Sequence, residues 1–262
     1  MAYIDAHSHL ADPRLDEIRV PLLAEARGLG ITQHLQGGVG PEDWLKQREL
    51  AKTYPEILPV FGLHPYWVAD HNEAECTSAL DQLARELKNA YAVGEMGLDF
   101  RPSILKEDEK GRSRQITCFE AQLEMAEMAA KPVVLHIVRA FDEAKRILEI
   151  WGVPPRGGMV HSFNGSAKEA QVYMELGLLI SVGGPVARKD NQRLHQAVKE
   201  IPLDQLLLET DSPDQPGDEL KGQLNRPASL LQVANVVAGI HRISPTEVLD
   251  ITSQNCRKLL SL

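Results

Sequence analysis

Cysteine is scarce in this chain, and the few residues present do not add up to a framework. Cys76, Cys118 and Cys256 stand far apart in 262 residues. An odd, dispersed set argues against disulfides and fits a reducing cytoplasm, with the thiols acting as small hydrophobes. Long apolar runs are missing too. No stretch approaches the roughly 18 residues of a membrane span, so no membrane association is expected. The opening "MAYIDAHSHL" has neither a basic region nor an apolar one, so no signal peptide is expected. Positive charge is in deficit: 28 Lys and Arg face 37 Asp and Glu, a net charge of −9. Such a surface does not attract polyanions over its whole area. Any nucleic-acid binding needs a local basic patch or metal ions. There is no internal repeat, low-complexity tract or linker, so residues 1–262 read as one domain. A Gly-rich dinucleotide turn is absent as well, because "GLGI" at 28–31 follows a helical pattern instead of leading into one.

What is present is a rhythm. Eight short apolar runs alternate with longer helical patterns: 3–7, 31–38, 57–64, 90–97, 132–137, 158–163, 178–184 and 206–211. Most are rich in Val, Ile and Leu, as strands buried on both faces should be. Between them, "FEAQLEMAEMAA" (119–130) puts Phe119, Leu123 and Ala126 on one stripe. Segments 140–151 and 166–177 read the same way. Ser166 and Glu169 have capping-box spacing, and Gly177 sits where a helix ends. Eight strand–helix units in about 250 residues match a single α/β (β/α)8 TIM barrel; a doubly wound open sheet is the alternative. The charged stretch 101–115 is expected to be a solvated loop after the fourth strand, on the side where a barrel builds its active site.

The runs end on polar residues. His7 closes the first, with His9 just beyond; His64 closes the third. Glu95, His136 and His161 lie in the fourth, fifth and sixth, and Asp211 closes the eighth. A barrel brings such ends together at one mouth. His7 and His9, two apart on an extended strand, point to the same side and can grip one ion. This many imidazoles and carboxylates exceeds the needs of one zinc, which points to two ions with a bridging carboxylate. Glu95 is the candidate bridge. Asp211 can bind a metal and accept a proton from an attacking water. Each residue alone has an ordinary structural explanation; the joint occurrence favours a metal site. His34, His71, His195 and His241 are assigned structural roles.

The set "DAHSHL", "GLHP", "VGEMGLDF", "PVVLHIVRA", "VHSFNGS" and "LLLETDSP" resembles the TatD-family metal-dependent hydrolases of the amidohydrolase superfamily. "QITCFEAQLEMAEMAAKPVVLH" (115–136), "LNRPASL" (224–230) and the "NCRKLL" end (255–260) extend the resemblance over nearly the whole chain. It implies a barrel with two divalent metal ions per subunit (zinc, magnesium or manganese) and a hydrolytic reaction. It implies His7, His9 and Asp211 on one ion, Glu95 bridging, and His136 and His161 on the other. It makes His64 an active-site histidine that contacts substrate and places Arg139 to meet an anionic group. Asp5, on the same side as His7, is either a support for the imidazoles or a buried structural carboxylate.

The resulting expectation is a cytoplasmic deoxyribonuclease, acting as a 3′–5′ exonuclease on DNA ends, single-stranded ones above all, with no obligatory protein partner. The alternative is a hydrolase of a small ester, amide, lactone or phosphotriester on the same barrel. An inactive barrel serving as a scaffold is the third reading, and the complete ligand set argues against it.

Overall fold

Strands rich in Val, Ile and Leu must bury both faces, and parallel pairing under a layer of helices does this. The structure, a computed structural model, describes residues 2–105 and 109–262. β1 (Tyr3–Ser8), β2 (Ile31–Gln36) and β3 (Ile57–Leu58) pair in parallel in that order. β4 (Val60–Phe61), β5 (Ala92–Asp99), β6 (Val133–Val138), β7 (Gly158–Val160), β8 (Leu178–Val182) and β9 (Leu206–Leu208) form a second parallel set. The third run of the sequence is therefore split in two. Pro59 lacks the N–H that a ladder needs, so the strand breaks there and changes partner from β2 to β5.

Two observations show the (β/α)8 barrel closing. Past the end of β9, the Asp211 N–H donates to the His7 carbonyl at 3.0 Å, and the His9 N–H donates to the Ser212 carbonyl at 2.7 Å. In addition, one buried cluster joins Ile4, Ala6, Leu35, Leu58, Val60, Ala92, Val134, Met159 and Leu207, with Leu179 packed against it. It draws on all nine strands. Side chains from opposite edges of an open sheet cannot meet; inside a barrel they do. Cys256 and Leu260 of the helix Pro245–Leu260 join this cluster, and Ser253 of the same helix accepts the Ile4 N–H at 3.0 Å.

The helices pack outside as their stripes dictate. Phe119, Leu123 and Ala126 of Glu109–Met128 are all buried. Ser166 and Glu169 cap Ala167–Glu175 reciprocally, and Gly177 takes the left-handed φ of 87° that ends it. The stretch 101–115 is not simply a loop. Pro102–Leu105 and the residues from Glu109 onward are helical, while 106–108 lie outside the described residues. Its Lys, Arg and Glu are good helix formers, and their charges masked the apolar period that begins at Ile116. Most strands stop earlier than their apolar runs, because the chain bends at the mouth. Ser162 and Asp211, each shortly after a strand that stops early, have φ of 45° and 56°, and Arg139 just past Val133–Val138 has 52°. Among the described residues no helix is long and apolar enough to cross a membrane.

Candidate metal centre

All six residues expected to hold metal come together at the mouth, around the carboxylate of Glu95. This carboxylate divides its two oxygens between two sets of imidazoles. Oε1 lies 3.1 Å from His7 Nε2 and 2.9 Å from His9 Nε2. Oε2 lies 2.7 Å from His161 Nε2 and 3.3 Å from His136 Nδ1. Asp211 joins the first set, its Oδ1 3.5 Å from His9 Nε2 and 3.8 Å from His7 Nε2. In the second, His136 Nδ1 and His161 Nε2 are 3.0 Å apart. Ligand atoms of His7, His9 and Asp211 lie within 4.8 Å of one another, and so do those of His7, Glu95 and His161 and of His64, Glu95 and His136.

The donor set fits divalent cations. Both Glu95 oxygens, both ring nitrogens of His7 and Nδ1 of His161 are buried without a hydrogen-bond partner among the described residues. Orphaned polar atoms are costly in a protein interior, and here both Glu95 oxygens and His7 Nε2 converge on the centre. Imidazole nitrogens mixed with carboxylate oxygens suit zinc or manganese, and tolerate magnesium less well. The electrostatics agree. Burial alone raises the Glu95 carboxyl pKa, but the surrounding imidazoles, His161 first, hold it well below its usual range. Burial likewise opposes charge on His9 and His161, yet Glu95 raises both well above an ordinary histidine. Burial pushes Asp211 up, while the His9 hydrogen bond and neighbouring imidazoles bring it down.

His64 also reaches the centre, its Nε2 3.5 Å from Glu95 Oε2, but its chemistry differs. Its Nδ1 caps the helix Pro65–Asp70 by accepting the Tyr66 N–H at 3.0 Å. A neutral ring with Nδ1 accepting carries its proton on Nε2 and is a donor there, with no lone pair for a metal. Burial first, then His136, lowers its pKa to about 4, so the ring stays neutral. Arg139 lines the cavity over the centre, exposed and with no ion-pair partner among the described residues.

Three supports escaped the sequence reading. Asp99 holds His136 Nε2 at 3.3 Å and is itself gripped by Arg101, whose Nε lies 3.0 Å from each of its oxygens. Glu209 faces His161 Nδ1 at 3.8 Å and accepts the Ser162 N–H at 2.6 Å. Their signal was the period of two: Asp99 follows Glu95 by four residues on one strand, and Glu209 precedes Asp211 by two. Gly37 is the third. A Cβ there would lie 2.4 Å from Glu95 Oε1 and 2.6 Å from ring carbons of both His7 and His9. Of the histidines assigned structural roles, His71, His195 and His241 bond backbone carbonyls at 2.7, 2.8 and 3.0 Å. His34 is fully buried, with Nδ1 3.8 Å from Asp5.

The mouth opens into a cavity of about 540 Å³, bordered by Tyr66, Arg101, Arg139, Phe141 and Arg193. Comparison with known proteins finds relatives along nearly the whole chain. Residues 4–261 match the family model described as TatD related DNase. The chain is 30% identical over 260 residues to the uncharacterized metal-dependent hydrolase YjjV of Escherichia coli K12, covering 99% of this chain and 98% of that protein. It is 32% identical over 260 residues to the 3′–5′ ssDNA/RNA exonuclease TatD of a Rahnella strain, covering 97% and 96%. The crystal structure of E. coli YjjV, a TatD homologue, superposes with a TM-score of 0.90 at 30% identity over 99% of this chain and 98% of that one.

Proposed function

The chain belongs to the TatD-related DNase family and is a metal-dependent hydrolase of that family; from this premise we propose that it is a 3′–5′ exonuclease that shortens single-stranded DNA with a dinuclear divalent-metal centre. The observation that carries the proposal is the Glu95 carboxylate, one oxygen facing His7 and His9 and the other facing His136 and His161. A bridge between two cations needs such a division. His7, His9 and Asp211 would hold one ion, His136 and His161 the other. The relative named as an ssDNA/RNA exonuclease supports a nucleic-acid substrate.

When bound, the two cations supply positive charge to the attacking and leaving oxygens of the phosphodiester. The chain's own groups do the rest. Asp211, low in pKa and at the mouth, accepts the proton of the attacking water through its carboxylate. His64 offers its Nε2–H to a phosphoryl oxygen and stays neutral at working pH. Arg139 presents an uncommitted guanidinium to a non-bridging oxygen or to the next phosphate. The cavity lies in the usual range for small-ligand sites and admits a strand end more readily than a duplex. The barrel works as one domain, in the cytoplasm, and the physiological ion is zinc, magnesium or manganese.

The test is incubation of purified protein with end-labelled single-stranded DNA in Mg²⁺, Mn²⁺ or Zn²⁺. Progressive shortening from the 3′ end, stopped by EDTA, is the expected result. Intact DNA under every metal, with turnover of a small ester or lactone, refutes the nuclease reading.

A further inference from the structure

Asp211 occupies a left-handed conformation, φ 56°, which a residue with a Cβ keeps only where its surroundings enforce it. The enforcing groups are buried and few. Asp5, fully buried, accepts the Thr210 N–H at 2.8 Å on one oxygen and the Thr210 hydroxyl at 2.6 Å on the other. The same carboxylate receives the His7 N–H at 3.4 Å. The Thr210 hydroxyl in turn accepts the Ser212 N–H at 3.2 Å, so it spans Asp211 from one neighbour to the next. Asn225 closes the other side, donating its side-chain N–H to the Thr210 carbonyl at 2.6 Å, while its own carbonyl accepts the Ser212 hydroxyl at 3.0 Å.

This web lies across the β1–β9 seam, where His7, His9 and Asp211 all sit. No member of it hydrogen-bonds the side chains of His136 or His161, whose supports are Asp99 and Glu209. The two halves of the centre thus share Glu95 but take their other hydrogen-bonded supports from different side chains.

We propose that Asp5, Thr210 and Asn225 form a clamp that fixes Asp211 against His7 and His9, and so sets the affinity of one cation site in preference to the other. The proposal rests on the reading of Asp211 as a ligand. These three are positioning residues, acting through Asp211. Carboxylates and amides in this role commonly change metal affinity by about 10–100-fold.

The experiment is calorimetric titration of metal-free full-length protein with Co²⁺ alone, with circular dichroism to confirm the fold. Thr210→Val keeps the shape and deletes the hydroxyl. It should weaken one of two binding steps at least about tenfold and leave the other in place, and Thr210→Ser should restore it. Asp5→Asn should weaken the same step; if that variant loses its fold, Thr210→Val carries the test. Glu209→Gln should weaken the opposite step. Equal weakening of both steps in Thr210→Val, no weakening of either, or a single binding step in the parent protein overturns the clamp. Asp211→Asn separates the two claims. If it leaves both steps unchanged, the ligand assignment falls. If it weakens one step while Thr210→Val and Asp5→Asn do not, the clamp falls alone.

Discussion

Gly37→Ala adds a single methyl at the position where the centre has no room. The new Cβ would sit 2.4 Å from Glu95 Oε1 and 2.6 Å from Cε1 of both His7 and His9. Ordinary contact begins near about 3.4 Å, so roughly 1 Å of displacement must be found. The backbone cannot easily supply it. The Gly37 N–H is bound to the Ser8 carbonyl at 2.9 Å, and its carbonyl accepts the Gln47 side chain at 2.9 Å. The displacement therefore falls on the carboxylate and the imidazoles. Metal ligation tolerates about 0.2 Å, and a misplacement of about 1 Å commonly costs about 10²-fold in rate. Overpacking of this kind costs about 1–3 kcal/mol, which a barrel of this size can absorb. The variant should fold with a modestly lower Tm, bind less metal by elemental analysis, and turn over about 100-fold more slowly. Gly28→Ala is the control, since its Cβ meets nothing within 4 Å. Normal metal content and turnover in Gly37→Ala would refute the placement of Glu95 between the two histidine sets.

Glu95→Ala should reduce bound metal at both sites together, read as ions per chain after dialysis; loss of one ion with the other retained would show that Glu95 does not bridge. His64 gives a pH dependence to the metal-free protein. Its folded pKa of about 4 lies below the ordinary 6.5, so the unfolded chain binds the proton more readily. Stability should fall as pH drops from about 6.5 to about 4, by at most about 3 kcal/mol from this residue. His9 and His161 contribute with the opposite sign, losing stability as pH rises, but they are common to parent and variant. His64→Asn keeps a capping oxygen for Tyr66 and should flatten the acid decline in urea unfolding; an unchanged slope between pH 4 and 6.5 would contradict the buried neutral ring.

The candidate ligands were legible because strand chemistry writes them at intervals. His7 and His9 share a side by their spacing of two, and apolar runs that carry His136 and His161 near their ends or close on Asp211 mark a mouth once eight runs imply a barrel. What could not be read depends on register between strands far apart in sequence. Asp99 meets His136 because β5 and β6 pair Gly97 with His136 and Asp99 with Val138. Asp5 meets Thr210 across 205 positions, at a seam that only closure creates. Gly37 was one glycine of "QGG" until Glu95 was folded over it. Pro59 was visible throughout, but a short run gives no sign of which partner a broken strand will take. The charged stretch 101–115 misled for the opposite reason: local composition was loud where apolar periodicity was faint.

The overall charge of −9 takes on a different meaning at the centre. Asp5, Glu95, Asp99, Glu209 and Asp211 are all buried around the mouth, so part of the acidic excess is concentrated in the barrel and not spread over its surface. Asp99 is offset by Arg101, and Asp5 and Glu209 are met by hydrogen bonds. Glu95 and Asp211 are left facing imidazoles alone. On the proposed reading, two divalent cations exceed the charge of those two carboxylates and turn the mouth locally cationic, with Arg139 at its rim. Phosphate attraction then belongs to the loaded centre and the Arg139 beside it, on a protein that is acidic overall. An enzyme built this way meets its polyanionic substrate at one point only, which favours a strand end over a long duplex face.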